Sequence, residues 1–239
     1  MTRRQGSDPK NIDIVVPAFR EVATIRQSLD RMIRIFEEEW NDSFRIIVVT
    51  DGSDDGTPQQ VRLVQSDSVT LIECVANRGK GAALRVGMQA SDAALVAQLD
   101  SDLDLHPESL VTLVSILKSQ KFDAVVGSKR HPDSMVSYPM FRKILSTGYL
   151  RLVGLLFGLD VSDTQTGVKV FVGRALRQVL PRVSETGFVF DLDLLNELHR
   201  NGFVVGEGPV KLDYQFGSSV GLKTVFTMLW GTFRVWRSR

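Results

Sequence analysis

The sequence predicts an α/β fold built on a mostly parallel, doubly wound sheet, organised as a single domain. Three observations carry that prediction. Short apolar runs alternate with helical periodicity through the first half of the chain. Polar, glycine-rich stretches follow several of those runs, where such sheets bind ligands at the carboxyl ends of their strands. The composition is that of an ordinary globular protein, with 43% hydrophobic and 24% charged residues in a chain of 239, a length that one α/β domain commonly reaches.

I-D-I-V-V (12–16) is a short apolar strand. Thr24 caps a following helix, in which Ile25, Leu29, Met32, Ile33 and Phe36 recur at three- and four-residue spacing. F-R-I-I-V-V-T (44–50) is the second strand, and T-P-Q-Q-V-R-L-V opens a helix with Pro58 in its first turn. V-T-L-I-E-C-V (69–75) is the third strand, followed by a helix over G-K-G-A-A-L-R-V-G-M-Q-A. A-A-L-V-A-Q-L (93–99) is the fourth, ending at Asp100; a helix starting at Pro107 follows, then a fifth strand, D-A-V-V-G (123–127). Beyond residue 130 the alternation is lost. R-H-P-D-S-M-V-S-Y-P reads as a long loop and Phe141 begins a basic, apolar helical segment. G-F-V-F-D-L-D-L-L-N-E-L-H opens another helix, and the last segment is apolar, aromatic and basic.

The net charge of +1 gives no global basic field for nucleic acid. The single cysteine, Cys74, excludes an intrachain disulfide and reads as a buried thiol in a reducing cytosol. The N-terminus has no apolar core behind its charges, so it does not read as a signal peptide. No stretch approaches the ~20 apolar residues of a membrane span.

Three loops gather the chemistry: D-G-S-D-D-G-T (51–57), N-R-G-K-G (77–81) and Q-L-D-S-D-L-D-L-H-P (98–107). In the last, Asp100, Asp102 and Asp104 alternate, and an extended strand would turn all three to one face. Like charges so placed call for a cation, and oxygen ligands suit a hard one such as Mg²⁺ or Mn²⁺. His106, before Pro107, reads as a loop or cap residue. The bland alternative for the triplet is a solvated turn that caps the next helix. In N-R-G-K-G, Arg78 and Lys80 stand among glycines at a strand-to-helix junction, which can bind phosphate through side chains, free N–H groups and the helix N-terminus. Its spacing is not that of a P-loop. A carboxylate-held metal beside such a loop reads as a diphosphate site.

With these come V-V-P-A-F-R-E (15–21), V-G-S-K-R (126–130), D-T-Q-T-G-V-K-V-F (163–171) and F-V-F-D-L-D-L-L (188–195). Together and in this order they resemble glycosyltransferase family 2, with its GT-A fold, and within it the dolichyl- and polyprenyl-phosphate mannosyl- and glucosyltransferases. The resemblance runs from about residue 12 to about 220. It divides the chain into a disordered tail (1–10), a GT-A domain (11–215) and an amphipathic, basic and aromatic C-terminal segment (216–239).

The resemblance implies roles. Pro17, Ala18 and Glu21 line the nucleotide pocket, and Asp51 faces the base or ribose; Thr50 stands where the family often has a first aspartate. Asp100 and Asp102 bind the metal, with Asp104 where related synthases often carry a metal-reaching glutamine. Arg78 and Lys80 lie near the donor phosphates. Lys129 or Arg130, with Arg142 and Ser146, holds an acceptor phosphate; on a helix the last two share a face. Asp191 sits at the position of the family's catalytic base, and Asp193 at that of a common glutamate. A hydroxyl acceptor needs a base, whereas a phosphate monoester, with a second pKa of about 6, is already ionised at neutral pH.

The implied function is inverting, metal-dependent transfer of mannose or glucose from GDP-mannose or UDP-glucose onto polyprenyl or dolichyl phosphate. Two readings stand beside it: a soluble family 2 enzyme acting on a hydroxyl with Asp191 as base, and a non-catalytic nucleotide-sugar module. A lipid acceptor would bring the chain to the cytoplasmic face of a membrane as a peripheral protein, alone, as a homo-oligomer or with a membrane subunit. Phe141–Leu159 and the stretch bearing Phe226, Leu229, Trp230, Phe233 and Trp236, flanked by Arg234, Arg237 and Arg239, would lie in the interface. Packing on the domain or dimerisation is the alternative for both.

Overall fold

Ile12–Ala18 (β1) is buried at every position, as a continuous apolar run predicts for a strand covered on both faces. Its one acidic residue, Asp13, is matched by Arg45 at 2.9 Å and by the Ser91 hydroxyl at 2.6 Å. The computed structural model describes residues 11–40, 43–102, 104–136, 140–187, 189–213 and 222–237; for 140–147, 150 and 222–226 it describes the backbone alone. The expected tail at 1–10 and the boundary at 215/216 lie outside the described residues.

After β1 come α1 (Ile25–Trp40), β2 (Phe44–Asp51), α2 (Thr57–Arg62), β3 (Val69–Cys74), α3 (Lys80–Gln89), β4 (Leu95–Gln98), α4 (Pro107–Gln120) and β5 (Ala124–Ser128). The α1 residues at helical spacing are the buried ones. The Thr24 hydroxyl donates to Glu21 Oε2 at 2.8 Å. Cys74 is half-buried rather than enclosed, because β3 is an edge strand.

The second half holds more strand than the sequence reading expected. It contains β6 (Met135–Val136), α5 (Met140–Phe157), β7 (Lys169–Val172), α6 (Gly173–Val179), a 3₁₀ turn (Leu180–Arg182), α7 (Phe190–Arg200), β8 (Val205–Pro209), β9 (Lys211–Leu212) and α8 (Leu222–Arg237). The main sheet runs β3-β2-β1-β4-β7-β5-β8, while β6 and β9 form a parallel pair. All neighbours in the main sheet are parallel except β7, which runs antiparallel to both β4 and β5. Two hydrophobic clusters cover its faces.

This topology positions the site. Strand order reverses at β1, which lies between β2 and β4, and ligands bind outside the carboxyl ends at such a switch point. The β1–β4 ladder stops at Val15–Gln98, and the loops that follow the two strands begin just beyond it.

Candidate functional site

The loops after β1 and β2 are stitched together. Ser53 accepts the Arg20 N–H at 3.2 Å, Asp55 accepts the Val22 N–H at 3.3 Å, and the Thr57 hydroxyl accepts the Glu21 N–H at 2.9 Å. Arg20 also pairs with Asp54. Pro17 and Ala18 are buried in β1 below this seam, and Glu21 is half-buried within it.

Asp51 ends β2 and is buried. One carboxylate oxygen accepts the Arg78 N–H at 3.0 Å and the other the Gly79 N–H at 2.7 Å. Asp51 thereby fixes the N-R-G-K-G loop. Two N–H groups expected to be free for phosphate are already bonded to it. Gly79, at φ +94°, makes the turn into α3, which Lys80 opens with its side chain against Asp100. Arg78 is exposed.

The aspartate triplet is not strand. β4 ends at Gln98, and Asp100, Asp102 and Asp104 lie beyond it, outside any strand, so strand alternation does not set their directions. The N-cap position of α4 belongs to His106, which removes the reading of Asp104 as that cap. The His106 ring is held between Asp213 at 2.6 Å and Arg31 at 3.1 Å. Asp100 Oδ1 lies 2.5 Å from Lys80 Nζ. Burial pulls the Lys80 pKa down, but the charges of Asp100, Asp191 and Asp102 outweigh it and the pKa is raised. Asp102 is pushed up to about 6 by desolvation and then by the like charges of Asp100 and Asp104. Its side chain still reaches solvent, so the like-charge part is the firmer cause and the one a bound cation would relieve.

No group of three His, Cys, Asp or Glu side chains among the described residues forms a cage for a metal. A crowded pair of carboxylates nevertheless fits Mg²⁺ or Mn²⁺, which is commonly held by one or two carboxylates together with substrate phosphates.

The segment between α5 and β7 joins this pole to a second one. Gly167 packs against Asp100: a Cβ there would stand 1.9 Å from Asp100 Oδ2. Thr166 Oγ1 accepts from Lys129 Nζ at 3.1 Å, and the Thr166 carbonyl accepts from Lys169 Nζ at 2.5 Å. Lys129 is ion-paired with buried Asp163 at 2.7 Å. Burial would raise the Asp163 pKa, yet Lys129 and the surrounding hydrogen bonds outweigh it and hold it low. Lys129 thus braces the loop, and Arg130 stands beside it at the end of β5. The side chains of Arg142 and Ser146 lie outside the described residues; their backbone is in α5.

Asp191, at the start of α7, is buried. Its Oδ1 accepts from Lys169 at 2.9 Å and from Gln98 at 2.8 Å. Asp193 instead accepts the Ser184 and Glu185 N–H groups at 2.7 and 3.0 Å, which fixes the 184–187 loop against α3. Lys169, Gln98 and Asp163 escaped the sequence reading. The one signal for Lys169 was a charged residue inside the apolar run V-K-V-F.

Among known proteins, the chain is 30% identical over 214 residues to glycosyltransferase AglD of Haloferax volcanii, with 88% of this chain covered. It spans 34% of AglD's length, about a third. It is 25% identical to the dolichyl-phosphate beta-glucosyltransferase of Saccharomyces cerevisiae, covering 93% of this chain and 72% of that one. Against the human protein of that name the identity is 28%, with 79% and 63% covered. Glucosyl-3-phosphoglycerate synthase from Mycobacterium tuberculosis, solved with Mn²⁺, uridine diphosphate and phosphoglyceric acid, superposes with a TM-score of 0.71 at 20% identity, covering 96% of this chain and 78% of that one. That likeness establishes the GT-A fold expected from the sequence. The model of glycosyl transferase family 2 matches residues 13–179. With the loops after β1, β2, β3 and β4 gathered on one edge of this sheet, the chain belongs to glycosyltransferase family 2.

Proposed function

We propose that the chain is an inverting glycosyltransferase that moves a hexose from a nucleotide sugar onto a polyprenyl or dolichyl phosphate. The observation that carries this reading is the junction made by residues 163–169. That segment backs Asp100 on the donor side, engages Lys129 on the acceptor side and holds Asp191 between them. Dolichyl-phosphate beta-glucosyltransferases among the relatives support the lipid-phosphate acceptor and favour glucose over mannose.

Asp100 and Asp102 would hold Mg²⁺ or Mn²⁺, with Asp104 at the margin, and the bound cation would neutralise the leaving diphosphate. Lys80, already raised in pKa and set over Asp100, keeps its positive charge for the same phosphates. Pro17, Ala18 and Glu21 line the nucleoside side, and Asp51 shapes that pocket through the loop it ties. Arg142, Ser146 and Arg130 take the acceptor phosphate, and Lys129 braces the loop next to Arg130.

We assign the exposed face of α8 to a membrane surface. Gly231, Thr232 and Val235 face the protein, while Leu229, Trp230, Phe233 and Trp236 are exposed. The last three rings follow one another at 6.1 and 5.7 Å. Leu152 and Leu155 of neighbouring α5 are exposed as well. Aromatic and basic residues on one helix suit the headgroup region, and among the described residues no helix is long and apolar enough to cross a membrane.

Two measurements test the reading. Melting-point shifts across UDP- and GDP-sugars with Mn²⁺ identify the donor, since a bound ligand raises the melting point. Transfer of labelled sugar to a short polyprenyl phosphate tests the acceptor. Arg142→Ala should abolish that transfer and leave the donor-induced shift intact. Transfer to sugar hydroxyls with none to lipid phosphate overturns the reading.

A further inference from the structure

Residues 183–187, with Val189 and Phe190, touch α3 on one side and α8 on the other. On the α3 side, the Thr186 carbonyl accepts the Ala82 N–H at 2.9 Å. That is one of the first-turn N–H groups that an α-helix leaves without an i−4 partner. A Cβ at Gly81 would stand 2.7 Å from the same oxygen and 2.4 Å from Phe190 Cβ, and one at Gly79 would stand 3.2 Å from the oxygen. The two glycines that flank Lys80 are therefore pressed onto this segment. Further along α3, Arg85 donates to the Val183 and Glu185 carbonyls and sets its guanidinium 5.8 Å from the centre of the Phe190 ring. These contacts seat the end of α3 from which Lys80 meets Asp100.

On the other side, Glu185 Oε2 accepts from Arg234 Nη2 of α8 at 2.7 Å. Gly231 of α8 packs on Val189 so closely that it has no room for a Cβ. The Thr232 hydroxyl of α8 lies 3.0 Å from the Tyr149 hydroxyl of α5, which steadies the helix from a second direction. The backbone of 183–187 belongs to no helix or strand, so its position is set by what it touches. Segments of this kind open at lower free energy than the core.

We propose that Glu185 and Arg234 are positioning residues for donor binding. Through their ion pair α8 holds the 183–187 loop against the first turn of α3, and so holds Lys80 and the N-R-G-K-G loop where they receive the diphosphate of a nucleotide sugar. The site then takes its donor fully only with α8 seated. The inference rests on the transferase reading above for the donor, and it does not depend on what covers the outer face of α8. Coupling of this kind is reciprocal. A donor that favours the seated loop also steadies α8.

The experiment is calorimetric titration of UDP-glucose and of GDP-mannose with Mn²⁺ present, on wild type, Glu185→Arg, Arg234→Glu and the doubly reversed chain, with melting temperatures alongside. Each single reversal should weaken binding of the donor that wild type takes by at least about fivefold. The double reversal should return to within about twofold of wild type. A charge acting through space on the diphosphate would move the two single variants in opposite directions, since one adds positive charge and the other negative. Weakening by both, with recovery in the double, is the signature of a broken pair. Arg234 keeps 56% of its side chain exposed, and such a pair adds little to global stability, so the melting temperatures should barely move. A lower melting temperature with donor affinity kept marks a merely structural brace and overturns the inference. Hydrogen exchange in wild type needs no variant: the α8 amides should exchange more slowly once the bound nucleotide sugar and Mn²⁺ are added. Unchanged α8 exchange, or unchanged donor affinity in both reversals, overturns the inference while wild-type donor binding leaves the transferase reading standing. Wild type that binds neither nucleotide sugar overturns both. If one reversal fails to fold, the other and the exchange measurement decide.

Discussion

Gly167 leaves no space beside Asp100, since any Cβ would overlap its carboxylate. Gly167→Ala should therefore displace Asp100 and cut turnover by about 100-fold, the usual consequence of shifting a reacting geometry by about an ångström; kinetics beside a melting curve separate this from unfolding. Asp102→Ala should cost more than about 100-fold in metal-supported turnover and Asp104→Ala about tenfold. Asp102 also sets a pH dependence. Its pKa is raised from 3.8 to about 6, so the folded chain holds that proton more tightly than the unfolded one. Without a cation, its contribution to stability is best below pH 3.8 and declines as pH rises through about 6. Cation affinity runs the other way and should be weaker at about pH 5 than at pH 7 by Mn²⁺ titration calorimetry, a difference that Asp102→Asn flattens. At this scale the sequence disclosed the residues that lie in contiguous stretches: the aspartates, N-R-G-K-G and Asp191. It could not disclose that Asp51 spends its oxygens on backbone N–H groups, or that Lys129 is paired with Asp163. Those partners are 27 or more residues away, and no local pattern encodes them.

Among the elements, the five parallel strands of the first half were legible because each is an apolar run bounded by turn residues. β7 was not. It is four residues long, carries a lysine, and becomes a strand by filling the gap between β4 and β5 in the opposite direction. β6 and β9 have two residues each and exist only as partners. The docking of α8 was equally hidden, since it depends on Gly231 meeting Val189, where a Cβ would stand 2.6 Å from Cγ2. Gly231→Leu should loosen the helix, costing about 1–3 kcal/mol by overpacking. Faster proteolysis after α7, with the sheet intact by circular dichroism, is the expected readout.

At the scale of the molecule, the described residues present a polar edge where the loops gather and an aromatic face on α8 beside α5. Replacing Trp230 and Phe233 together by Glu should abolish sedimentation with anionic liposomes. Transfer to a detergent-dispersed acceptor should stay within about threefold of wild type, because these side chains are exposed and take no part in the core. Unchanged sedimentation would return α8 to the role of a protein contact. The contact between Lys80 and Asp100 carries a last consequence for the molecule in the cell. The chain supplies its own counter-ion at the spot where the proposed chemistry would place an external one. If the proposed cation is required for transfer, its scarcity should idle the protein without depleting it, because Asp100 already has a partner in the folded chain.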